Sequence, residues 1–280
     1  MDPGPIRDAL TLVAGVATGM LSGAFGVGGA VVSTPAIRLL GASAFIAVGT
    51  TLPSILPSAA TGTARYAKAD LIRWRVVGWT TPAGMVSAVG GSLLTRVIPG
   101  HGHLLMIATA ALLGFTALRM AKGRDPEPPD PADLAEVDEE KAAVAARAAA
   151  DAAKHRQRPS VLLGVGAAAG LMSGLLGIGG GTVMVPGFTE IAGIPLKTAI
   201  ATSLACVGIF AIPSTVTHAL LGDIDWRFAL LLTVGVIPGA RLGAAAAIRA
   251  TDRRMRIAVA IFLSTIALIY AAGEIAALFG

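Results

Sequence analysis

The chain has 280 residues, of which 54% are hydrophobic and only 14% are charged, and its mean hydropathy is +0.74. A soluble domain carries about 25% charged residues, so a soluble enzyme is nearly excluded and a polytopic membrane protein is the expected class. The formal charge of +5 comes from basic residues beside apolar segments. That placement is typical of cytoplasmic membrane loops, so no nucleic-acid partner is expected.

Ten apolar segments follow one another, five on each side of a charged stretch. They cover about 9–24, 27–40, 43–64, 76–98 and 103–120, then 159–176, 180–193, 197–221, 227–248 and 256–279. Several are long enough to span about 30 Å of hydrocarbon at 1.5 Å per residue. The first two of each set are short and are separated by glycines. We therefore predict an all-α polytopic membrane protein.

The charged stretch divides the chain into two parts. Residues 121–158 contain seven Lys/Arg and nine Asp/Glu, and the proline-rich part at 125–131 cannot be helical. We interpret 121–158 as a solvated cytoplasmic linker. It joins an N-terminal transmembrane repeat, 1–120, to a C-terminal transmembrane repeat, 159–280.

An internal repeat supports this division. Residues 21–30 read LSGAFGVGGA and residues 172–181 read MSGLLGIGGG, at an offset of 151, each followed by a proline. At an offset of 152, VGTTL at 48–52 matches IATSL at 200–204, and Trp74-Arg75 matches Trp226-Arg227. Further on, Gly84 matches Gly239 at an offset of 155. The two halves therefore share one plan and are pseudo-symmetric.

The charges predict how the halves are oriented. If each glycine-broken pair of short segments is a re-entrant helix hairpin, each half has three transmembrane helices besides it, and an odd number makes the halves inverted repeats. This arrangement places the basic residues of 65–75 and 249–256 and the linker on one side. By the positive-inside rule that side is cytoplasmic. The predicted location is the cytoplasmic (inner) membrane, with the linker in the cytoplasm.

The glycine motifs allow two interpretations. They resemble a fragment of a dinucleotide fingerprint, but neither follows a strand or completes its spacing, so nucleotide binding is rejected. A tight turn at a close helix contact would explain them structurally. Alternatively each marks a broken helix at membrane depth, whose exposed N–H groups and helix dipole suit an anion.

The paired Ser-Gly-x-x-Gly-x-Gly-Gly motifs, with the later GTTL and ATSL segments, resemble the TauE/SafE family of putative sulfite or organosulfonate exporters. The resemblance covers nearly the whole chain outside the linker and implies two repeated halves that export small sulfur-containing anions. It implies that nine motif residues lie near the substrate pathway: Gly28, Gly29, Thr50, Thr51, Gly179, Gly180, Gly181, Thr202 and Ser203. Ser22, Ala30 and Ser173 of the same motifs are further substrate-binding candidates. Ala30, where the second half has Gly181, suggests that the half-sites differ.

Ionisable residues within the apolar segments add three hypotheses. Arg241 lies fifteen residues after Trp226, so we expect it inside the membrane, where a charge costs at least about 2.5 kcal/mol. It would serve as an anion-binding or gating cation, or it would snorkel to an interface. His218 and Glu190 are proton-carrier hypotheses. Deep carboxylates are otherwise scarce, which favours an anion over a metal cation, and neither a metal nor a cofactor is expected.

The sequence therefore predicts a secondary transporter that exports a small sulfur-containing anion, sulfite or an organosulfonate, by alternating access. It is not expected to be an enzyme, because no nucleophile–base arrangement is evident, and the absence of a Walker motif argues against direct ATP use. The rivals are a passive small-anion channel and a membrane assembly subunit that transports nothing. Its expected partners are the small anion and membrane lipid, and its oligomeric state stays open.

Overall fold

A computed structural model describes residues 4–94, 107, 110, 111, 113–118, 158–176 and 179–279. Within them every regular element is helical. In chain order these are α1 (Pro5–Phe25), α2 (Ala30–Leu39), α3 (Ala44–Lys68), α4 (Trp74–Leu94), α5 (Pro159–Leu176), α6 (Gly181–Pro186), a π-helical turn (Gly187–Ile191), α7 (Leu196–Leu220), α8 (Trp226–Arg249) and α9 (Asp252–Phe279). The all-helical class is confirmed.

Local signals explain where several helices begin and end. Pro5 opens α1, where its missing N–H costs nothing. Gly26 ends α1 in the left-handed region, with φ of 69°. Ser43 Oγ accepts from the Ile46 amide at the start of α3, and Asp225 Oδ1 accepts from the Phe228 amide at the start of α8. Most boundaries agree with the sequence within a few residues, but α1 has 21 residues and begins earlier than predicted.

The first helix of each half packs against a helix of the other half. The helix α1 packs mainly along α8, and its repeat mate α5 packs mainly along α4. A row of small residues lets the first pair approach: a Cβ added to Gly15, Gly19 or Gly23 would lie 2.8, 2.2 or 2.3 Å from a backbone oxygen of α8. The second pair repeats this, because a Cβ at 166, 170 or 174 would lie 2.2, 2.1 or 2.0 Å from an oxygen of α4. Such rows allow close helix packing in lipid.

These contacts also fix the register of the repeat and the helix directions. Gly19 faces Val236, and Gly170 faces Gly84, so Val236 is the mate of Gly84 at an offset of 152. The sequence match of Gly84 with Gly239 was therefore three residues out of register. In both pairs residue numbers rise together, so α1 runs parallel to α8 and α5 runs parallel to α4.

The helices α3 and α7 form the centre of the bundle. Gly62 lies against Leu204 and Gly208 against Ala59, so these repeat mates run antiparallel. Both helices contribute fully buried side chains to the main hydrophobic core, among them Leu52, Leu204 and Phe210. This pair supports the shorter helices that carry the glycine motifs.

The outer surface suits a lipid environment. Among the described helices α1, α7 and α8 are long and apolar enough to cross a membrane. The side chains of Leu230, Val234 and Leu242 form an exposed apolar stripe on α8, each about 60% exposed. The predicted linker lies outside the described residues except for Arg158, as do most residues of the predicted segment 103–120.

Candidate functional site

The two glycine motifs meet in the middle of the molecule. A Cβ added to Gly28 would lie 3.3 Å from the carbonyl oxygen of Gly179, and one added to Gly179 would lie 3.0 Å from that of Val27. Val207 of α7 borders both glycines. The two turns are therefore in direct contact, and the sequence-predicted glycines of both halves form one site.

The glycines are required by the backbone as well as by space. Gly28 and Gly29 have φ of 87° and 77°, and Gly179 and Gly180 have φ of 82° and 64°. An L side chain rarely adopts this region. Each pair turns the chain sharply between a long helix and a short one, so α2 and α6 begin at the contact between the halves.

Two hydroxyls lie beneath the start of α2. A Cβ added to Gly29 would lie 2.8 Å from Thr18 Cγ2 and 3.2 Å from Ser22 Cβ. Thr18 and Ser22 are at most 1% exposed, and neither hydroxyl has a hydrogen-bond partner within the described part of the chain. An unpaired buried hydroxyl costs about 1–3 kcal/mol. Thr18 was missed from the sequence, although it lies four residues before Ser22 on the same helix face.

The second half has a weaker version of this arrangement. Gly180 lies over Ser173 and the backbone of Ala169, in the way that Gly29 lies over Ser22 and Thr18. Ala169 replaces the threonine, so the second half presents one hydroxyl there. Gly181 donates from its amide to the Gly179 carbonyl at 2.7 Å, as Ala30 does to Gly28 at 3.0 Å. The half-sites share a backbone but differ in side-chain donors.

The predicted hydroxyls of α3 and α7 have mostly structural partners. Thr50 Oγ1 accepts from the amide of Asp225, at the start of α8. Its mate Thr202 accepts from the amide of Arg73, just before α4. Each therefore anchors a helix start, and the structure does not bring either to the glycine turns.

The residues that follow these two lie closer to the motifs. Ser203 donates its hydroxyl to the carbonyl of Gly26 at 2.9 Å and so touches the first glycine turn. Thr51 Oγ1 lies 3.3 Å from Thr34 Oγ1 on α2 and donates to the Val48 carbonyl. Both hydroxyls are fully buried. The equivalent contact of Thr51 would fall on Gly177, which lies outside the described residues.

Arg241 lies elsewhere. It is exposed on the outward face of α8, beside the apolar stripe of Leu230, Val234 and Leu242, while the opposite face of α8 packs on α1. The structure therefore does not place its side chain with the glycine turns. The unpaired donors described there are the hydroxyls of Thr18 and Ser22.

The two proton-carrier hypotheses fall in different places. His218, 1% exposed, lies near the end of α7 with Nδ1 3.2 Å from Asp223 Oδ2. Glu190 lies in the π-helical turn beside Thr116, at the wall of a mostly apolar cavity of about 460 Å³. The sequence did not identify Asp223 as the partner of His218. Five residues separate them, which one helix end and a turn bring together.

A scan of the described residues finds no cluster of three His, Cys, Asp or Glu side chains suited to a metal. The single Cys206 is buried. The central site therefore offers neutral hydrogen-bond donors in a dry setting. Such donors recognise an acceptor-rich solute, which is the property of an oxyanion.

Comparison with known proteins agrees with this membrane architecture. The family model described as sulfite exporter TauE/SafE matches residues 11–270. The probable membrane transporter protein YunE of Bacillus subtilis strain 168 is 22% identical over 276 residues, covering 93% of this chain and 94% of that protein. A probable membrane transporter protein of Xylella fastidiosa strain 9a5c is 28% identical over 245 residues, covering 86% and 85%.

An archaeal relative is similar along most of its length as well. The probable membrane transporter protein MJ0441 of Methanocaldococcus jannaschii is 24% identical over 278 residues, covering 92% of this chain and 93% of that protein. No solved structure is significantly similar to the chain.

Proposed function

Because the chain belongs to the TauE/SafE sulfite exporter family of membrane transporters, we propose that it is a secondary transporter that exports sulfite or an organosulfonate by alternating access. The observation that carries this proposal is the pair of buried, unpaired hydroxyls of Thr18 and Ser22 at the start of α2. The family suggests the anion, and these donors suggest where it binds.

The proposed topology is a pair of inverted repeats, each with a re-entrant pair of helices. Two observations support it. The repeat mates α3 and α7 run antiparallel, which an axis in the membrane plane would produce. The starts of α1 and α3 lie at one end of the bundle, because Asp8 pairs with Arg227 and Thr50 binds the Asp225 amide. The helix α1 therefore runs away from that end of the bundle, and α2 runs back towards it.

The proposed binding site has three components. The hydroxyls of Thr18 and Ser22 donate to oxygen atoms of the sulfite or sulfonate group. The start of α2 adds the positive end of its helix dipole. Ser203, which now donates to Gly26, turns to the anion when the turns separate. Hydrogen bonds from neutral donors offset only part of the free-energy cost of dehydrating the anion. The site can therefore bind its substrate and also release it.

The described conformation is closed at this site. The turn at Gly28 touches the turn at Gly179, and a methyl group added at either glycine would lie only 3.3 or 3.0 Å from a carbonyl oxygen of the other turn. An anion therefore enters only when the two turns move apart. Alternating movements that separate the two turns would open the start of α2 first to one side and then to the other.

The sidedness of the proposal follows from charge. Lys197, near the start of α7, donates to the Ile248 carbonyl near the end of α8 and lies 3.8 Å from Asp252. This end carries Arg253, Arg254 and Arg256. The proposal places it, with the linker, in the cytoplasm by the positive-inside rule and the protein in the inner membrane.

The test is uptake of labelled sulfite into proteoliposomes by Thr18→Val and Ser22→Ala proteins. Thr11→Val is the matched control, because Thr11 is equally buried on the same helix, two turns earlier, and its hydroxyl already donates to the Arg7 carbonyl. Saturable uptake that falls in the two site variants and persists in the control supports the proposal. Equal rates in all three variants would place the anion elsewhere.

The same assay separates the rivals. A passive channel would show flux that does not saturate and that sulfite on the opposite side of the membrane does not accelerate. A folded wild-type protein without flux of sulfite or of a sulfonate would contradict transport and favour an assembly subunit. Thermal unfolding of each variant shows that a lost flux is not a lost fold.

A further inference from the structure

The proposed export still lacks a driving ion, and the structure assigns a site for one. We propose that the buried pair of His218 and Asp223 binds the proton whose inward movement drives anion export. This inference rests on the proposed function and names its coupling site. Histidine is the side chain whose reference pKa lies nearest neutral pH.

The geometry of the pair is that of a proton-binding site. His218 Nδ1 lies 3.2 Å from Asp223 Oδ2, and both residues are less than 10% exposed. With the imidazole neutral, the pair carries the single negative charge of Asp223. With the imidazole protonated, the pair is neutral overall. One proton therefore changes the charge of this buried pair by one unit, and a charge is costly at a buried site.

Repeat symmetry does not require this pair. At an offset of 152 the mates of His218 and Asp223 are Tyr66 and Leu71. Tyr66 fills the same buried place but donates its hydroxyl to the Gly23 carbonyl at 2.6 Å. The first half therefore packs the equivalent helix end with no group that titrates near neutral pH.

A chain of contacts links the pair to the anion site. The carbonyl of Asp223 lies against Gly49 of α3, where an added Cβ would be only 2.3 Å away. Two residues later, the Asp225 amide donates to Thr50. The next residue, Thr51, contacts Thr34 on α2. A change of charge in the loop after α7 therefore reaches the helix whose start binds the anion.

The neighbouring elements bring other charges that share this end. The helix α3 has no charged residue before Arg65, and α4 has none after Arg75. The charged groups on the described elements that pack here are Arg7 and Asp8 of α1, Arg38 of α2, and Asp225 and Arg227 at the start of α8. Among these, Asp8 pairs with Arg227 and Asp225 caps α8. His218 is the one with a reference pKa near neutral pH.

The pair also lies at the side from which protons enter. The basic end of the bundle, at Lys197 and Asp252, is the proposed cytoplasmic side, and His218 lies at the opposite end of α7. In this scheme a proton binds from outside while the anion leaves. The carrier then returns without an anion and releases the proton into the cytoplasm. One proton moves in for each anion moved out, and no covalent step occurs.

The test compares two fluxes in the same proteoliposomes. Exchange of internal for external labelled sulfite needs no net proton movement, whereas net accumulation driven by an imposed pH gradient does. His218→Gln is expected to retain exchange and lose the gradient-driven accumulation, and Asp223→Asn to weaken it. Tyr66→Phe, at the symmetry-related buried place, is expected to retain both. Sulfoacetate is the second probe, because its sulfonate group stays ionised where sulfite itself titrates.

The outcomes separate the two proposals. Wild-type protein that shows no exchange of either anion refutes the proposed function, and the proton site falls with it. Suppose that the wild-type protein exchanges sulfite and accumulates it with the gradient, and that the His218→Gln protein also accumulates it. This result refutes the proton site but leaves the proposed function intact. If His218→Gln protein fails to fold, the same comparison made with Asp223→Asn decides, since that variant keeps the shape of the side chain.

Discussion

Gly174→Ala should separate two helices that now touch. A Cβ at this position of α5 would lie 2.0 Å from the Ala88 carbonyl oxygen and 2.7 Å from the Ser92 amide nitrogen of α4. An ordinary Cβ contact begins at 3.4 Å, so the first distance is 1.4 Å too short. Both obstructing atoms are backbone. The side chains cannot rotate to make room, and α4 and α5 must move apart along the row that includes Gly166 and Gly170.

The cost follows from that movement. Overpacking costs about 1–3 kcal/mol. Loosening three close Cα–H···O contacts removes roughly 0.5 kcal/mol each. Alanine returns about 1 kcal/mol through its helix propensity. The net loss is about 2–3 kcal/mol of unfolding free energy. At about 2–4 °C per kcal/mol for a protein of this size class, the thermal midpoint should fall by roughly 5–10 °C.

Gly164→Ala is the matched control on the same helix. No atom lies within 4 Å of its added Cβ, so it should keep or slightly raise the midpoint. The assay is thermal unfolding in detergent, followed by tryptophan fluorescence and by size-exclusion elution. If the Gly174→Ala and Gly164→Ala proteins melted together, the contact between α4 and α5 would not be as tight as described.

Three further substitutions test other parts of the structure. Gly28→Ala should lower both stability and sulfite uptake, because its φ of 87° is strained for alanine and its Cβ would lie 2.5 Å from Val207; unchanged uptake would show that the turn is not at the site. Arg241→Gln should leave the KM for sulfite unchanged, since the side chain faces outward; a raised KM would return it to the pathway. Tyr66→Phe should cost about 1–3 kcal/mol of stability, measured by thermal unfolding, because the buried Gly23 carbonyl loses a donor. An unchanged midpoint would mean that water replaces it.

The sequence was most informative where the repeat imposes a constraint. The shared offset of 151 in the glycine motifs predicted two equivalent turns, and the structure brings Gly28 and Gly179 together. The positive φ of these residues explains why the motif needs glycine. The match of Gly84 with Gly239 was out of register because glycine identity alone guided it. The helix contacts give the correct register, because Gly19 packs against Val236.

Partners distant in sequence could not be predicted. The family resemblance implied that Thr50 and Thr202 lie along the substrate pathway, but each binds a backbone amide that only the fold brings near. Arg241 was expected inside the membrane from its distance to Trp226. That distance along the helix does not say which face the side chain takes, and the face is outward. The π-helical turn has no mate after Pro35, so the repeat gave no sign of it.

The exchange of first helices between the halves has a consequence for biosynthesis. Gly15 of α1 packs against Leu232 of α8, and 217 residues separate them (232 − 15). At about 5–20 residues per second, α1 waits roughly 10–40 s for its neighbour after emerging from the ribosome. During that interval its row of glycines faces lipid or the insertion machinery. The nascent first half is thus an incomplete structure until α8 has been synthesised and inserted.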